Sequence, residues 1–150
     1  MFKIFIDGQN GTTGLQIKDR LTERDDMELI ELSDAERKTD AAKKAALGAA
    51  DVAILCLPDD AARQTAQLAT KTRLIDASTA HRTHPDWTYG LPELCPEQRR
   101  KILTAERVSN PGCYPTGFIL LIRPLIALGL LKPDHAIFVS ALSGYSGGGK

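Results

Sequence analysis

The chain has 150 residues with 19 basic and 19 acidic side chains, and this charge balance gives no reason to expect nucleic acid or an anionic membrane as a partner. No apolar run approaches the roughly 20 residues that cross a bilayer, and the N-terminal residues have the pattern of a strand rather than of a signal peptide. The three cysteines, Cys56, Cys95 and Cys113, form no CxxC pair, so we expect reduced thiols, no metal site and a cytoplasmic protein.

Strand and helix patterns alternate along the first half of the chain. Apolar periodicity predicts strands at residues 2–7, 27–32, 51–57 and 73–76, and helices at residues 13–24, 35–47 and 61–70. The segment 51–57 is continuously apolar, which is typical of a strand buried on both faces of a parallel sheet. This order predicts βαβ units and an α/β fold with a Rossmann-like, mostly parallel sheet, whose ligands bind at the carboxyl ends of the strands.

The second half of the chain has a different character. Residues 78–94 have no clear period and are predicted as a loop, followed by a helix at 96–103, a strand at 107–109, a turn at 110–117, a helix at 118–131 and a strand at 136–142. We predict a dinucleotide-binding domain at residues 1–109. Residues 110–150 would then begin an α+β catalytic and oligomerisation domain, and the closing glycine turn leads us to expect the N-terminal portion of a longer protein.

A glycine-rich turn lies between the first predicted strand and the first predicted helix. Gly8, Gly11 and Gly14 have the spacing GxxGxxG, which meets the demands of a Rossmann fingerprint: a tight turn, close approach of a pyrophosphate and a free helix N-terminus. Thr12 and Thr13 can add hydroxyl donors. The alternative is an ordinary glycine turn, but the strand and helix around it favour dinucleotide binding.

The residues after the second predicted strand bear on the choice of dinucleotide. Asp34 stands near the distance at which a carboxylate would bind the ribose 2′-hydroxyl of NAD. Ser33, Arg37 and Lys38 offer a hydroxyl and two cations, which suit the 2′-phosphate of NADP better. The two cations could also belong to a solvated helix face. The pattern favours NADP as the cofactor.

Cys113 differs from the other two cysteines in its surroundings. It follows Asn110-Pro111-Gly112 and precedes an apolar helix, so its thiol is expected near a helix N-terminus, where the dipole favours the nucleophilic thiolate. Cys56, inside an apolar strand, and Cys95 are expected to be inert. Cys113 is therefore the candidate catalytic residue.

Four segments together carry a resemblance to a known family. They are residues 110–117 (NPGCYPTG), 8–14, 76–94 with its DASTAHR and YGLPEL motifs, and 143–150 (SGYSGGGK). The octapeptide around Cys113 resembles the active-site signature of N-acetyl-γ-glutamyl-phosphate reductases, and the combination is similar to the shorter of the two forms of that family. The related aspartate-semialdehyde dehydrogenases generally have a cysteine followed by threonines at this point.

The resemblance implies a function in arginine biosynthesis. The Cys113 thiolate would attack the acyl phosphate of N-acetyl-glutamyl 5-phosphate, release phosphate and leave a thioester, which NADPH reduces to N-acetylglutamate 5-semialdehyde. Besides the glycines, the resemblance assigns cofactor contacts to Leu57, Pro58 and Ser78. It also implies a homo-oligomer with small-molecule partners only, the acyl phosphate and phosphate.

The resemblance to this family also implies further site residues. Asn110, Arg82, Ser143 and Gly147 are the candidate substrate contacts, although Arg82 could equally be an ordinary loop arginine. The loop at 143–150 would close over the substrate near Cys113. The family's catalytic histidine lies downstream of this loop, and none of the chain's histidines, His81, His84 and His135, matches it.

Three alternatives remain at this stage. The sequence from Gly144 to Lys150 has the form of a P-loop that lacks only its final Ser or Thr, which would indicate a nucleotide-hydrolysing or phosphotransfer module. That interpretation leaves the glycine turn and Cys113 unexplained. The chain could also be an acyl-phosphate reductase of the aspartate-semialdehyde dehydrogenase type, or a dinucleotide-binding module without catalysis.

Overall fold

A computed structural model of the chain describes residues 1–144 and 147. The chain divides into two compact units, Met1–Gly112 and Cys113–Lys150. The alternative interpretation of residues 144–150 as a P-loop depends on Gly149 and Lys150, which lie outside the described residues.

The first unit is built on one six-stranded sheet in which every strand pairs in parallel. The strands lie in the order β2-β1-β3-β4-β6-β5. They are β1 (Phe2–Asp7), β2 (Met27–Ile30), β3 (Val52–Leu55), β4 (Arg73–Asp76), β5 (Thr88–Tyr89) and β6 (Arg107–Ser109). The helices of this unit are α1 (Thr12–Thr22), α2 (Asp40–Ala49), α3 (Asp59–Leu68) and α4 (Gln98–Thr104). The predicted α/β fold with a parallel sheet is confirmed.

The strand order creates a crevice beside β1. The chain crosses from β1 to β2 on one side and from β2 to β3 on the other, so right-handed crossovers place α1 and α2 on opposite faces of the sheet. The connections therefore diverge between β1 and β3, and ligands of open α/β sheets bind at such a switch point, outside the carboxyl ends of the strands. Gly8 directly follows β1 at this edge, and Leu57 lies just beyond β3.

The main core lies where α2 and α3 pack on one face of the sheet. Phe5, Leu55 and Leu74 provide the large, fully buried side chains of the strands, and burying each of them contributes about 1.5–3 kcal/mol. The helices and their ends contribute mainly small side chains, which let them approach the sheet closely: Ala46, Ala50, Ala66 and Ala69.

Apart from shifts of one or two residues at the ends of other elements, three features of the first unit differ from the prediction. The helix expected at residues 35–47 begins only at Asp40, because the side chain of Thr39 accepts a hydrogen bond from the amide of Ala42 and caps it, and a 3-10 turn (Glu36–Lys38) precedes it. The strand β3 alternates fully buried and partly buried side chains, so it is not buried equally on both faces. The predicted loop at 78–94 contains β5 and a 3-10 turn, Pro92–Leu94.

The second unit consists of a helix and an extended segment. Helix α5 (Cys113–Ala127) begins five residues before the predicted start at residue 118, because Pro115 falls in its first turn, where proline is tolerated. Pro124 lies inside the helix and does not end it. The strand predicted at 136–142 is wrong: these residues form no strand, since the described part of the chain offers them no pairing partner. Among the described residues, no helix combines the length and apolar character that a membrane span requires.

Candidate active site

The glycine turn has the backbone geometry that its spacing predicts. Gly8 has a φ of +89°, a conformation that side chains disfavour, and its carbonyl accepts a hydrogen bond of 3.1 Å from the amide of Gly11. A Cβ at Gly14 would overlap that same carbonyl and lie 2.7 Å from the Cα of Gln9. The turn therefore needs glycine at position 8 for its backbone conformation and at position 14 for close packing of the start of α1 on the turn.

The N-terminus of α1 is open toward an anion. Gly11 occupies the N-cap position without a capping side chain, and the first turn of the helix has no acidic residue. Thr12 and Thr13 are both exposed at this end. The amides of the first helical turn and the positive end of the helix dipole are consequently directed at any phosphate bound there.

A cavity of about 410 Å³ opens next to the turn, at the switch point. It brings together four of the predicted cofactor residues, Gly8, Arg37, Lys38 and Leu57, from three different loops. The rest of its lining consists of Asp7, Asp34 and Lys43. The position of this cavity, between the ends of β1 and β3, is the one at which a Rossmann sheet binds the adenosine half of a dinucleotide.

Polar side chains of the segment after β2 form two pairs, Arg37 with Asp34 and Ser33 with Glu36. Arg37 forms an ion pair with Asp34, so the carboxylate that could bind a ribose hydroxyl of NAD is already engaged. Ser33 donates hydrogen bonds from its hydroxyl (2.6 Å) and its amide (2.8 Å) to the Glu36 carboxylate. These bonds hold the pKa of Glu36 below its usual range. Ser33 does not line the cavity, whereas both predicted cations do.

A buried carboxylate at the end of β1 was not predicted from the sequence. Asp7 is almost fully buried, and its Oδ2 accepts a hydrogen bond of 2.9 Å from the hydroxyl of Thr65. The ammonium of Lys43 lies 3.1 Å from the same oxygen. The signal in the sequence was an acidic residue at the last position of a strand, directly after the apolar run Ile4–Ile6, but nothing local identifies its partners on α2 and α3.

A second buried carboxylate shapes the loop after β4. Asp76 accepts hydrogen bonds from the amide (3.0 Å) and hydroxyl (2.7 Å) of Ser78, and Nδ1 of His81 lies 2.6 Å from its Oδ2. The His81 ring stacks on Trp87 with centroids 4.0 Å apart. Ser78 and His81 are thus buried parts of the loop scaffold. Pro58, a further predicted cofactor residue on this edge, is the N-cap of α3.

Two predicted substrate residues of the first unit meet at the ends of β4 and β6. The guanidinium of Arg82 donates to the carbonyl of Asn110 (3.2 Å) and to that of Ala77 (3.4 Å). The amide of Asn110 in turn donates to the carbonyl of Asp76 at 2.7 Å. These bonds join the loop after β4 to the segment that leads toward Cys113.

In the second unit, Cys113 is exposed and is the first residue of α5. It lines a cavity of about 630 Å³ together with Ser143 and Gly144, and the remaining lining is largely apolar, with Phe118 and Phe138 among it. The cavity therefore brings the predicted nucleophile together with one predicted substrate residue. Gly147, another predicted substrate residue, donates a hydrogen bond of 3.0 Å from its amide to the carbonyl of Gly144.

The three thiols differ in accessibility. Burial raises the pKa of the Cys56 thiol to about 11, and the nearby carboxylates of Asp76 and Asp7 act in the same direction. Cys56 is thus protonated at neutral pH and a poor nucleophile, as the sequence predicts. Cys95 is partly buried, with its Sγ 3.7 Å from Oε1 of Gln98.

We expect alkylation with iodoacetamide at pH 8 to modify Cys113 well before Cys56. Only thiolate reacts, and a pKa near 11 leaves Cys56 about 0.1% ionised at pH 8, with the fraction rising about tenfold per pH unit. Mass spectrometry of tryptic peptides after timed quenching measures both rates. A Cys113→Ser protein is the control for assignment. Equal rates for the two cysteines at pH 8 would contradict the environment described for Cys56.

The parallel sheet, the open helix N-terminus and the cavity at the switch point define the first unit as a dinucleotide-binding domain of the Rossmann type. A profile for the NAD-binding domain of semialdehyde dehydrogenases matches residues 3–102. A profile for the dimerisation domain of semialdehyde dehydrogenases matches residues 113–150. The chain belongs to the semialdehyde dehydrogenase family, whose NAD-binding domain implies a nicotinamide dinucleotide as cofactor.

Known proteins refine this placement. The N-acetyl-gamma-glutamyl-phosphate reductases of Brucella ovis and Brucella canis are each 57% identical to the chain over 99% of its length. The chain covers 49% of each, and so spans about half the length of these curated relatives.

Solved structures with the same fold are more distant in sequence. Aspartate semialdehyde dehydrogenase from Francisella tularensis has a TM-score of 0.61 at 18% identity, over 86% of this chain and 42% of that one. Aspartate semialdehyde dehydrogenase II from Vibrio cholerae has a TM-score of 0.60 at 17% identity, over 85% of this chain and 43% of that one. At these identities the likeness shows the shared fold.

Proposed function

We propose that the protein reduces N-acetyl-glutamyl 5-phosphate to N-acetylglutamate 5-semialdehyde, a step of arginine biosynthesis, with NADPH and a thioester on Cys113. The observation that carries this proposal is the exposed Cys113 at the start of α5, in a cavity that it shares with Ser143. The 57% identity to N-acetyl-gamma-glutamyl-phosphate reductases supports this substrate over aspartyl phosphate.

The chemistry at Cys113 divides one difficult reduction into two easier steps. The thiolate attacks the acyl carbon, the bond from that carbon to the phosphate oxygen breaks, and inorganic phosphate leaves, so that a thioester remains on Cys113. A bound NADPH supplies the hydride that reduces this thioester. When the resulting tetrahedral oxyanion collapses, the carbon–sulfur bond breaks, the aldehyde leaves and the Cys113 thiolate is restored.

Four residues are proposed as substrate contacts. Arg82, held by the carbonyls of Ala77 and Asn110, has the planar donor geometry that suits a phosphate or a carboxylate. Asn110 lies three residues before Cys113 in the chain. Ser143 shares the cavity of Cys113, and Gly147 belongs to the glycine-rich segment that follows it. The predicted closure of the segment 143–150 over the substrate depends on residues 145–146 and 148–150, which lie outside the described residues.

The cofactor is proposed to be NADP, with its pyrophosphate at the turn from Gly8 to Gly14 and its adenosine in the cavity at the switch point. The N-terminus of α1, with Thr12 and Thr13, suits the pyrophosphate. Arg37 and Lys38 line the cavity and suit a 2′-phosphate. Ser33 is proposed to lie near that phosphate. The remaining part of the cofactor is proposed to contact Leu57, Pro58 and Ser78.

Residues 1–109 are proposed to bind the cofactor, and residues from 110 onward to begin the catalytic and oligomerisation domain. A homo-oligomer is part of the proposal, supported by the match of residues 113–150 to a dimerisation domain and by exposed apolar side chains on α5 such as Leu121 and Phe118. A cytoplasmic location is proposed as well, in keeping with three free thiols.

The test of the proposed function is an assay of the full-length protein with two aldehydes. With NADP and phosphate present, N-acetylglutamate 5-semialdehyde should be oxidised much faster than aspartate semialdehyde, as followed by the absorbance of NADPH. A preference for aspartate semialdehyde would support the related dehydrogenase instead. Turnover of neither aldehyde, with NADP binding intact, would indicate a dinucleotide-binding module without catalysis.

We also expect Arg37→Ala with Lys38→Ala to remove most of the preference for NADP over NAD. A charge-assisted hydrogen bond to phosphate is worth about 1.5–3 kcal/mol, so losing one changes the NADP dissociation constant about 10- to 100-fold and leaves that of NAD almost unchanged. Fluorescence titration with both dinucleotides measures this. Lys44→Ala, an exposed cation on α2 outside the cavity, is the matched control. Equal affinities of the unmodified protein for NADP and NAD would rule out the 2′-phosphate assignment.

A further inference from the structure

One charged cluster at the cofactor edge has no part in the assignments above. Asp7 is buried at the end of β1, and its Oδ2 contacts both Thr65 and Lys43. A buried carboxylate is costly unless it is paired and hydrogen-bonded, and here one oxygen receives both a hydroxyl hydrogen and an ammonium. Three elements, β1, α2 and α3, are joined by these contacts at the switch point.

Lys43 differs from the other two cations of the cavity in how it is held. Arg37 is engaged by the carboxylate of Asp34, and Lys38 is exposed to solvent. The side chain of Lys43 is only 18% exposed, and Asp7 fixes its ammonium at the cavity wall. An ammonium has three hydrogens to donate, and within the described residues the Asp7 carboxylate is the only partner of the Lys43 ammonium. Lys43 therefore presents hydrogen-bond donors to the cavity. Because Asp7 already holds its side chain, binding a ligand would cost little further side-chain entropy.

The charge of the cavity matches an additional phosphate. Three cations, Arg37, Lys38 and Lys43, face two carboxylates, Asp7 and Asp34, which leaves an excess of positive charge in the lining. A ribose 2′-hydroxyl needs no such excess, whereas a 2′-phosphate does. Lys43 lines the same cavity as the residues that follow β2, the segment where Rossmann domains distinguish the two dinucleotides.

We propose that Lys43 is a specificity-determining residue that binds the 2′-phosphate of NADP, and that Asp7 and Thr65 are positioning residues that hold its ammonium at the cavity wall. This inference rests on the proposed use of NADP and adds a residue to it.

The experiment compares Lys43→Met with the unmodified protein and with Lys44→Met, which removes a neighbouring cation outside the cavity. NADP and NAD are titrated in the full-length protein, and the fragments 2′,5′-ADP and 5′-AMP are titrated as probes that lack the pyrophosphate. Lys43→Met should weaken NADP and 2′,5′-ADP about tenfold or more, and change NAD and 5′-AMP by less than about threefold. Lys44→Met should leave all four affinities unchanged.

A second variant controls for loss of folding, because Lys43→Met leaves the buried Asp7 carboxylate without its cation. The double variant Asp7→Asn with Lys43→Met removes both charges and should show the same selective loss. Asp7→Asn alone should weaken NADP less, because it loosens Lys43 without removing it. Equal losses for NADP and NAD would mean that Lys43 contacts the pyrophosphate or serves only the fold, and would overturn the proposal.

The outcome also separates this inference from the proposed function. If the unmodified protein binds NAD as tightly as NADP, the assignment of NADP is wrong, and the role of Lys43 is wrong with it. If the unmodified protein prefers NADP and both Lys43 variants keep that preference, the assignment of NADP stands and the role of Lys43 alone is refuted.

Discussion

Replacing Cys113 by serine should abolish the phosphate-dependent oxidation of N-acetylglutamate 5-semialdehyde by the full-length protein and leave NADP binding nearly unchanged. The hydroxyl keeps the shape of the thiol but is a far poorer nucleophile at neutral pH, so kcat should fall on the order of 10³-fold or more. The dinucleotide affinity should hold, because Cys113 is not among the proposed cofactor contacts and serine keeps the size of its side chain. Steady-state rates and a dinucleotide titration measure the two effects separately.

The matched control is Cys95→Ser, at a partly buried thiol that takes part in no proposed step. Serine can keep the contact of Cys95 with Gln98, so activity and stability should both stay close to those of the unmodified protein. Retention of a substantial fraction of the rate by Cys113→Ser would refute the thioester route. An equal loss of activity in both variants would point to a general effect of the substitutions on folding.

Local patterns predicted the part of the fold that supports the glycine turn. The strands β1, β4 and β6 have the predicted bounds, and α1 differs by one or two residues at each end. These elements were predictable because each is determined by its own side chains: period-two or apolar runs for the strands, and a glycine turn that ends one element and begins the next. The same turn predicted Gly8 and Gly14, whose backbone geometry excludes side chains.

Long-range pairing determined the elements that the sequence did not predict. The two residues of β5 are a strand only because they lie beside β6, with Thr88 opposite Val108 and Tyr89 opposite Ser109. Residues 136–142 are the opposite case: their apolar pattern suits a strand, but no described segment pairs with them. A strand is completed by its neighbour, and a single sequence does not say which neighbour is available.

The candidate site shows the same division between local and long-range features. Cys113 and the glycines are recognisable from adjacent residues. The cluster of Asp7, Lys43 and Thr65 joins residues 36 and 58 positions away from Asp7, and no linear motif connects them. Buried ionic contacts of this kind depend on how the helices α2 and α3 cross the sheet, so they can be found only once the packing is known.

Substituting Gly8 by alanine should have the largest effect on stability of any change in the glycine turn. Gly8 has a positive φ, which costs an ordinary residue about 1–2 kcal/mol. Its Cβ would also overlap the backbone carbonyl of Cys56, with the carbonyl carbon at 2.8 Å, and no side-chain rotation can relieve a clash with backbone. The strands β1 and β3 would have to separate at the switch point. We expect the free energy of unfolding to fall by about 2–4 kcal/mol, with loss of cofactor binding.

Two other glycines provide matched controls for this prediction. Gly11 has a φ of −76°, and its Cβ would come no closer than 3.4 Å to a neighbouring atom, so Gly11→Ala should cost far less than Gly8→Ala. Gly48 lies exposed inside α2 with nothing within 4 Å of its Cβ position, and Gly48→Ala should raise the free energy of unfolding by about 0.5–1 kcal/mol because alanine favours the helix. Urea unfolding of the three variants measures the series. If Gly8→Ala proved as mild as Gly11→Ala, the close contact between the glycine turn and β3 would be wrong, and with it the shape of the cavity assigned to the cofactor.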